Sequence, residues 1–301
     1  MSFLVVAGVL VLVFVLIHMV PGDPVEVMLG ENAAAADRET LRAELHLDDP
    51  LITQFYYFIS ELFTGRLQSV FYHGPVMPEV LHRLKATVQL ALAALLISLM
   101  VSIPMGVIAA VKKGSGVDAA AMGFSLIGVS MPSFWLGPML ILLFSIKLGW
   151  LPVSGKGTLS HLVLPAVTLG FGMAAIVSRM IRGSLLEVMG EEYLKLARAK
   201  GLPERTVILR HALRNALIPT ITIVGLQAGA LFSGAIITET IFAWPGVGRL
   251  LIDAIHARDF PLVQGAVIVI ALSYVLVNLF TDLLYAAADP RVRFAEKQSG
   301  R

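Results

Sequence analysis

Acting on a chemical bond takes a nucleophile with its base, a paired acid and base, or a metal cluster, and this 301-residue sequence offers little of any. It has no cysteine, which excludes disulfides, thiolate metal sites and cysteine nucleophiles. Its histidines are scattered, and His18, His161 and His256 read as structural residues rather than ligands. Ser154-Gly155-Lys156-Gly157-Thr158 has the composition of a phosphate-binding loop without the spacing of G-x-x-x-x-G-K-[ST]. Neither a His-Glu-x-x-His helix nor a G-x-S-x-G turn occurs. No catalytic residue, metal site or cofactor site is predicted on this chain.

The elements that would position any site are membrane spans. The sequence is 57% hydrophobic and 15% charged, and its apolar residues fall in long blocks. A hydrocarbon layer of about 30 Å needs roughly 20 helical residues. Hydropathy predicts six spans: Phe3 to Val20, Val88 to Val111, Ala119 to Ile146, Leu162 to Met180, Ala216 to Thr238 and Val263 to Ala287. The fold class is therefore an all-α integral membrane protein. Residues 1–20 form the first span, 21–87 an extracytoplasmic loop with short helices, 88–287 the five-helix core and 288–301 a cytoplasmic tail. A net charge of +2 gives no argument for nucleic acid. Lys112, Lys113, the run from Arg179 to Arg214, and Arg291, Arg293, Lys297 and Arg301 fall in alternate loops, which places both termini in the cytoplasm.

In the outer loop, Asp23-Pro24-Val25-Glu26 reads as a helix start capped by Asp23, and Asp49-Pro50 repeats the signal. The second helix carries Phe55, Ile59, Leu62 and Phe63 on one face and stops at Gly65. Gly225, Gly229 and Ser233 make a small-residue row suited to a helix interface, within the chain or between subunits. Pro132, Pro138, Pro165 and Pro219 are expected to kink their spans. An ionisable residue deep in lipid costs roughly 2.5 to 3.5 kcal/mol, and Asp282 is read as a structural pair or cap near the end of the last span.

The most informative polar segment runs from Glu187 to Pro219, around a loop at 187–215, and is built as two short helices joined by a turn. Glu191 and Glu192 open the first and Lys195, Arg198 and Lys200 crowd its end, which complements the helix dipole; Glu191 and Lys195 are also four apart. Gly201 supplies a left-handed residue and Pro203-Glu204 starts the next helix. Charge alone allows a solvated connection, or an amphipathic helix on lipid headgroups.

The residues themselves go further. Glu192-Tyr193-Leu194-Lys195-Leu196-Ala197-Arg198-Ala199-Lys200-Gly201, with Arg210-His211-Ala212-Leu213-Arg214-Asn215-Ala216-Leu217-Ile218-Pro219, resembles the EAA loop of importer permeases. His18-Met19-Val20-Pro21-Gly22-Asp23-Pro24, Leu47-Asp48-Asp49-Pro50-Leu51, Pro132-Ser133-Phe134-Trp135, Glu239 to Arg249, Arg258-Asp259-Phe260-Pro261 and Asp289-Pro290-Arg291-Val292-Arg293 resemble the peptide/nickel branch of ATP-binding cassette permeases of the bacterial inner membrane.

That resemblance implies a six-span permease that pairs with a second, similar permease. It also implies two cytoplasmic ATPase subunits, which would hold ATP and Mg, and an extracytoplasmic solute-binding protein. The coupling contact would come from Glu192, Tyr193, Leu194, Ala197, Arg198, Ala199, Lys200 and Gly201. Glu239, Phe242, Trp244, Pro245, Gly246 and Arg249 would form an outer gate or touch the solute-binding protein. Dipeptides, longer peptides, glutathione, opines and nickel chelates are all cargo of such permeases, peptides the most frequent. The sequence departs from the family in three places. It begins Met1-Ser2-Phe3 without the basic residues many relatives carry, it has His46 where glycine is common, and Arg66 and Gln68 replace an acidic residue and glycine.

Overall fold

The computed structural model describes residues 2–19, 25, 34–44, 46–69 and 72–288. The predicted cap Asp23, with Pro24 and Glu26, and the closing Asp289–Arg293 motif lie outside the described residues. The helices in chain order are α1 Ser2–Met19, α2 Ala35–Glu44, α3 Leu51–Thr64, α4 Val76–Val111, α5 Gly116–Ser130, α6 Ser133–Lys147, α7 Ser160–Met189, α8 Glu192–Ala199, α9 Glu204–Ile241, α10 Val247–His256 and α11 Phe260–Ala288. A two-residue antiparallel pair, β1 Gln68–Ser69 and β2 Gly74–Pro75, precedes α4.

By length and composition α4, α7, α9 and α11 can each cross a membrane, and the bent pair of α5 and α6 has the composition of a fifth, broken span or of a re-entrant loop. The second expected span starts earlier than its hydropathy suggests, at Val76, so the last part of the expected outer loop is already helix. The third is corrected more deeply. It is not one helix from Ala119 to Ile146 but two, bent by 109° at Met131–Pro132. Pro132 disfavours the helical conformation of the residue before it, and Met131 is extended at φ −88°, ψ 115°. After Pro138 the backbone of α6 widens into a π-helix over Ile141–Lys147.

The chain divides into two compact units, Met1–Thr87 with Pro245–Ser273, and Val88–Trp244 with Tyr274–Arg301. In the first unit, Phe14 of α1 packs edge-on against Phe55 at 5.2 Å, within a cluster that includes Phe58, Leu62 and Ile268. The expected apolar face of α3 is thus rotated: Phe55, Phe58, Ile59 and Leu62 face the cluster, while Phe63 is 78% exposed. Gly65 ends α3 at φ 70° as expected. Asp49 does not cap it. Pro50 holds the cap position, its carbonyl accepts from Thr53 and Gln54 N–H, and Asp49 pairs with His46 Nδ1 at 3.1 Å.

His46 has a left-handed φ of 53°. It holds that conformation with its ring stacked on Tyr57 at 3.8 Å. The backbone cost is about 1–2 kcal/mol and the stack returns a comparable amount. His46→Ala keeps the strain and loses the ring, so in detergent it is expected to unfold at a lower temperature than His46→Gly; the reverse order would refute this account.

The Arg258-Asp259-Phe260-Pro261 motif has a structural basis in the same unit. Asp259 is buried; it accepts from Leu262 N–H at 3.0 Å, capping α11, and from the Ser69 hydroxyl of β1. Leu262 joins Val76, Val80, Val247 and Leu250 in a buried core of this unit.

In the second unit, α7 packs on α5 and α9. Asp118 in the first turn of α5 accepts both Arg182 Nε at 2.6 Å and an Arg182 terminal nitrogen at 2.7 Å, tying α5 to α7, and also accepts Gly114 N–H. Gly225 and Gly229 of α9 pack inside the chain against α11: Gly229 lies beside Tyr274 and Asn278, and a side chain at Gly225 would overlap Thr281. Ser233, third in that row, is exposed. On α4, Ser98 and Ser102 are fully buried, with no partner for either hydroxyl among the described residues, so these positions use smallness rather than hydrogen bonding. Asp282 is exposed on α11, without a side-chain partner among the described residues.

Candidate functional site

The segment singled out by its charge pattern folds as a short arm below α7 and α9. Glu191 precedes α8, Glu192 opens it and Arg198 sits in its last turn. Gly201 then turns the chain at φ 78°, and nothing lies within 4 Å of where its side chain would be. Pro203 holds the cap position before Glu204. The turn thus needs a residue that tolerates the left-handed region, and it points that residue into open space.

Three contacts make the arm stiff. Leu194 is fully buried among Leu185, Val207, Ala212 and Ala216, with Ala110 of α4 in the same cluster. Burying it contributes about 2 kcal/mol. Arg198 grips Glu204 with a two-toothed ion pair across the turn, at 2.8 and 3.0 Å, and that carboxylate raises the guanidinium's already high pKa. Tyr193 receives a hydrogen bond from Asn215 Nδ2 at 2.7 Å. The first part of α9 includes a π-helical stretch over Val207–Ala212, whose Val207 and Ala212 share the Leu194 cluster.

Among the residues predicted for coupling, Leu194 is corrected: it faces the chain's own core and is closed to any partner. The helical period sets Leu194 opposite Leu196, about 200° round the helix. Glu192, Tyr193, Ala199, Lys200 and Gly201 are exposed, while Ala197 and Arg198 are half-buried. Leu196, not among the predicted residues, is 58% exposed. An apolar residue in the middle of a charged helix was the signal available for it. Glu191 was expected to support Lys195; Glu192 does so instead, at 3.0 Å.

The outer-turn residues are mostly buried. In the second unit Glu239, Phe242 and Trp244 are all 3% exposed or less. Trp244 N–H donates to Glu239 O at 2.8 Å, Gly155 N–H to Phe242 O at 2.8 Å, and Lys156 lies 5.6 Å over the Trp244 ring. The Ser154–Thr158 loop therefore serves as a cover for the turn. In the first unit Gly246 is buried, Pro245 and Arg249 are half-buried, and Val247 N–H donates to Thr87 Oγ1 at 2.9 Å. The motif is thus packed within the chain, with Ala243 held left-handed at φ 47° in its middle.

Residues 102–294 match the family described as binding-protein-dependent transport system inner membrane component, and residues 1–78 match its N-terminal counterpart. The chain belongs to this family of binding-protein-dependent permeases. It is 44% identical to the dipeptide transport system permease protein of Escherichia coli (strain K12), over 95% of this chain and 94% of that one. It is 42% identical to the glutathione transport system permease protein of Escherichia coli O6:H1, over 94% and 93%. In fold it is similar to a chain of the methionine ABC transporter MetNI in inward-facing conformations. The TM-score is 0.62 at 16% identity, covering 71% of this chain and 98% of that one. The chain is thus a multi-pass inner-membrane permease subunit of an ATP-binding cassette importer.

Proposed function

We propose that this permease forms half of a translocation path for peptides, opposite a second, similar permease, and takes its motion from cytoplasmic ATPase subunits through α8. α1 supplies a sixth crossing, both termini lie in the cytoplasm, and an extracytoplasmic solute-binding protein delivers the cargo. ATP and Mg are held by the ATPase subunits. The observation that carries the coupling role is the two-faced build of α8, anchored through Leu194 and braced through Arg198 and Glu204, with Tyr193, Leu196 and Lys200 facing out. A short stiff arm transmits displacement to α7 and α9 where a flexible loop would absorb it. Peptide as cargo rests on the dipeptide and glutathione permeases, both carrying peptide solutes.

Purifying the tagged chain in mild detergent tests the assembly. The expected result is a second permease and nucleotide-hydrolysing subunits in the same peak, the latter lost when Leu196 is replaced by glutamate. A chain that purifies alone, or that keeps its ATPase subunits in Leu196→Glu, refutes docking at this face.

A further inference from the structure

A hollow of about 260 Å³ opens in the second unit where the broken span meets α7 and α9. Met131 and Ser133 line it at the break, Gly172 and Met173 on α7, and Gln227 and Ala230 on α9; none of its lining residues is Asp, Glu, Lys, Arg or His. Three features ask for an occupant.

The first is Gln227, whose side-chain amide forms no hydrogen bond among the described residues although it sits in a span and borders a largely apolar space. An amide left so is costly unless something supplies a partner. The second is Gly172. A side chain there would meet only Gly128 O, at an ordinary 3.6 Å, so packing does not demand glycine. Glycine inside a helix costs about 1 kcal/mol relative to alanine, and what its bareness preserves is open volume. The third is the pair of methionines, flexible walls that fit differing shapes.

We propose that this hollow is a transient binding site for the neutral part of the transported solute: one apolar side chain with its adjoining peptide amide, held by Gln227. The inference rests on the peptide-permease reading above. The hollow falls below the roughly 300–1,000 Å³ of sites that enclose a whole ligand, which suits part of a peptide. Its uncharged lining leaves the peptide's charged ends outside. Adaptable walls suit cargo that changes from one cycle to the next, whereas a fixed side chain of a neighbouring subunit would be matched by shape.

Because the chain has no cysteine, Gly172→Cys places its single thiol at the hollow. Membrane vesicles carrying the assembled importer are labelled with N-ethylmaleimide, and modification of this chain is read by mass spectrometry. Saturating dileucine is expected to slow labelling by about fivefold or more, diglycine to leave it within about twofold, and Gln227→Leu to remove the protection. Ala230→Cys, on the exposed rim, gives the same comparison should Gly172→Cys fail to assemble. Equal labelling with and without dileucine, in vesicles whose unmodified importer takes dileucine up, overturns the site and leaves the permease reading intact. A thiol blocked in the assembled importer but reactive in the isolated chain shows the hollow filled by a neighbouring subunit and also overturns it. Absence of ATP-dependent dileucine uptake by the unmodified importer overturns the peptide reading, and this site with it.

Discussion

Gly201→Leu is expected to reduce ATP-dependent uptake by about tenfold while the chain still reaches the membrane in normal amount. The reason is backbone conformation. Gly201 sits at φ 78°, where a branched side chain costs about 1–2 kcal/mol, which weights the turn about tenfold away from its present geometry. No clash accompanies the change, since nothing lies within 4 Å of the new side chain, so insertion and packing survive. Gly201→Asn separates shape from bulk, because asparagine visits the left-handed region readily. It is expected to retain most uptake. Normal uptake by the leucine variant, measured at equal protein level, would sink the coupling role assigned to the turn.

Gly225→Leu is expected to act on the fold itself. The side chain would enter the volume of Thr281, forcing α9 from α11 at a cost of about 3 kcal/mol. In detergent this should appear as early thermal aggregation and low recovery. Clearing the other side tests the geometry: Gly225→Ala combined with Thr281→Gly should recover much of the stability lost by Gly225→Ala alone, because the two positions share one volume. Additive losses would falsify the contact. Since Gly225 packs inside the chain, neither result should depend on a second permease.

The features legible in the sequence were those set by neighbours along the chain. Apolar blocks marked the spans, Gly65 and Gly201 were placed as left-handed stops, and Pro203-Glu204 as the next helix start, each through backbone sterics that act over a few residues. Contacts between distant residues were not legible. Asp118 and Arg182 are 64 positions apart, and only Ser115-x-x-Asp118, a helix-start pattern, hinted that Asp118 had a place; Ser115 accepts from its N–H. The orientation of Leu194 depended on which face of a short helix met the core, and the burial of the outer turn was not legible because its cover, Gly155 and Lys156, lies far back in the chain. The break at Met131–Pro132 was half visible. Proline predicted a kink, but the 109° bend, with α6 packed on α7 and α9, was not legible locally.

α8 keeps its anchor and its proposed docking face on separate sides: Leu194 fastens it, and Leu196 and Lys200 are left facing outward. Changes on one side therefore need not be answered on the other. A permease built this way can be re-matched to a different motor by exchanging a few outward residues, with its transmembrane core untouched, so the pairing of pore and engine is free to drift while the pore itself stays the same.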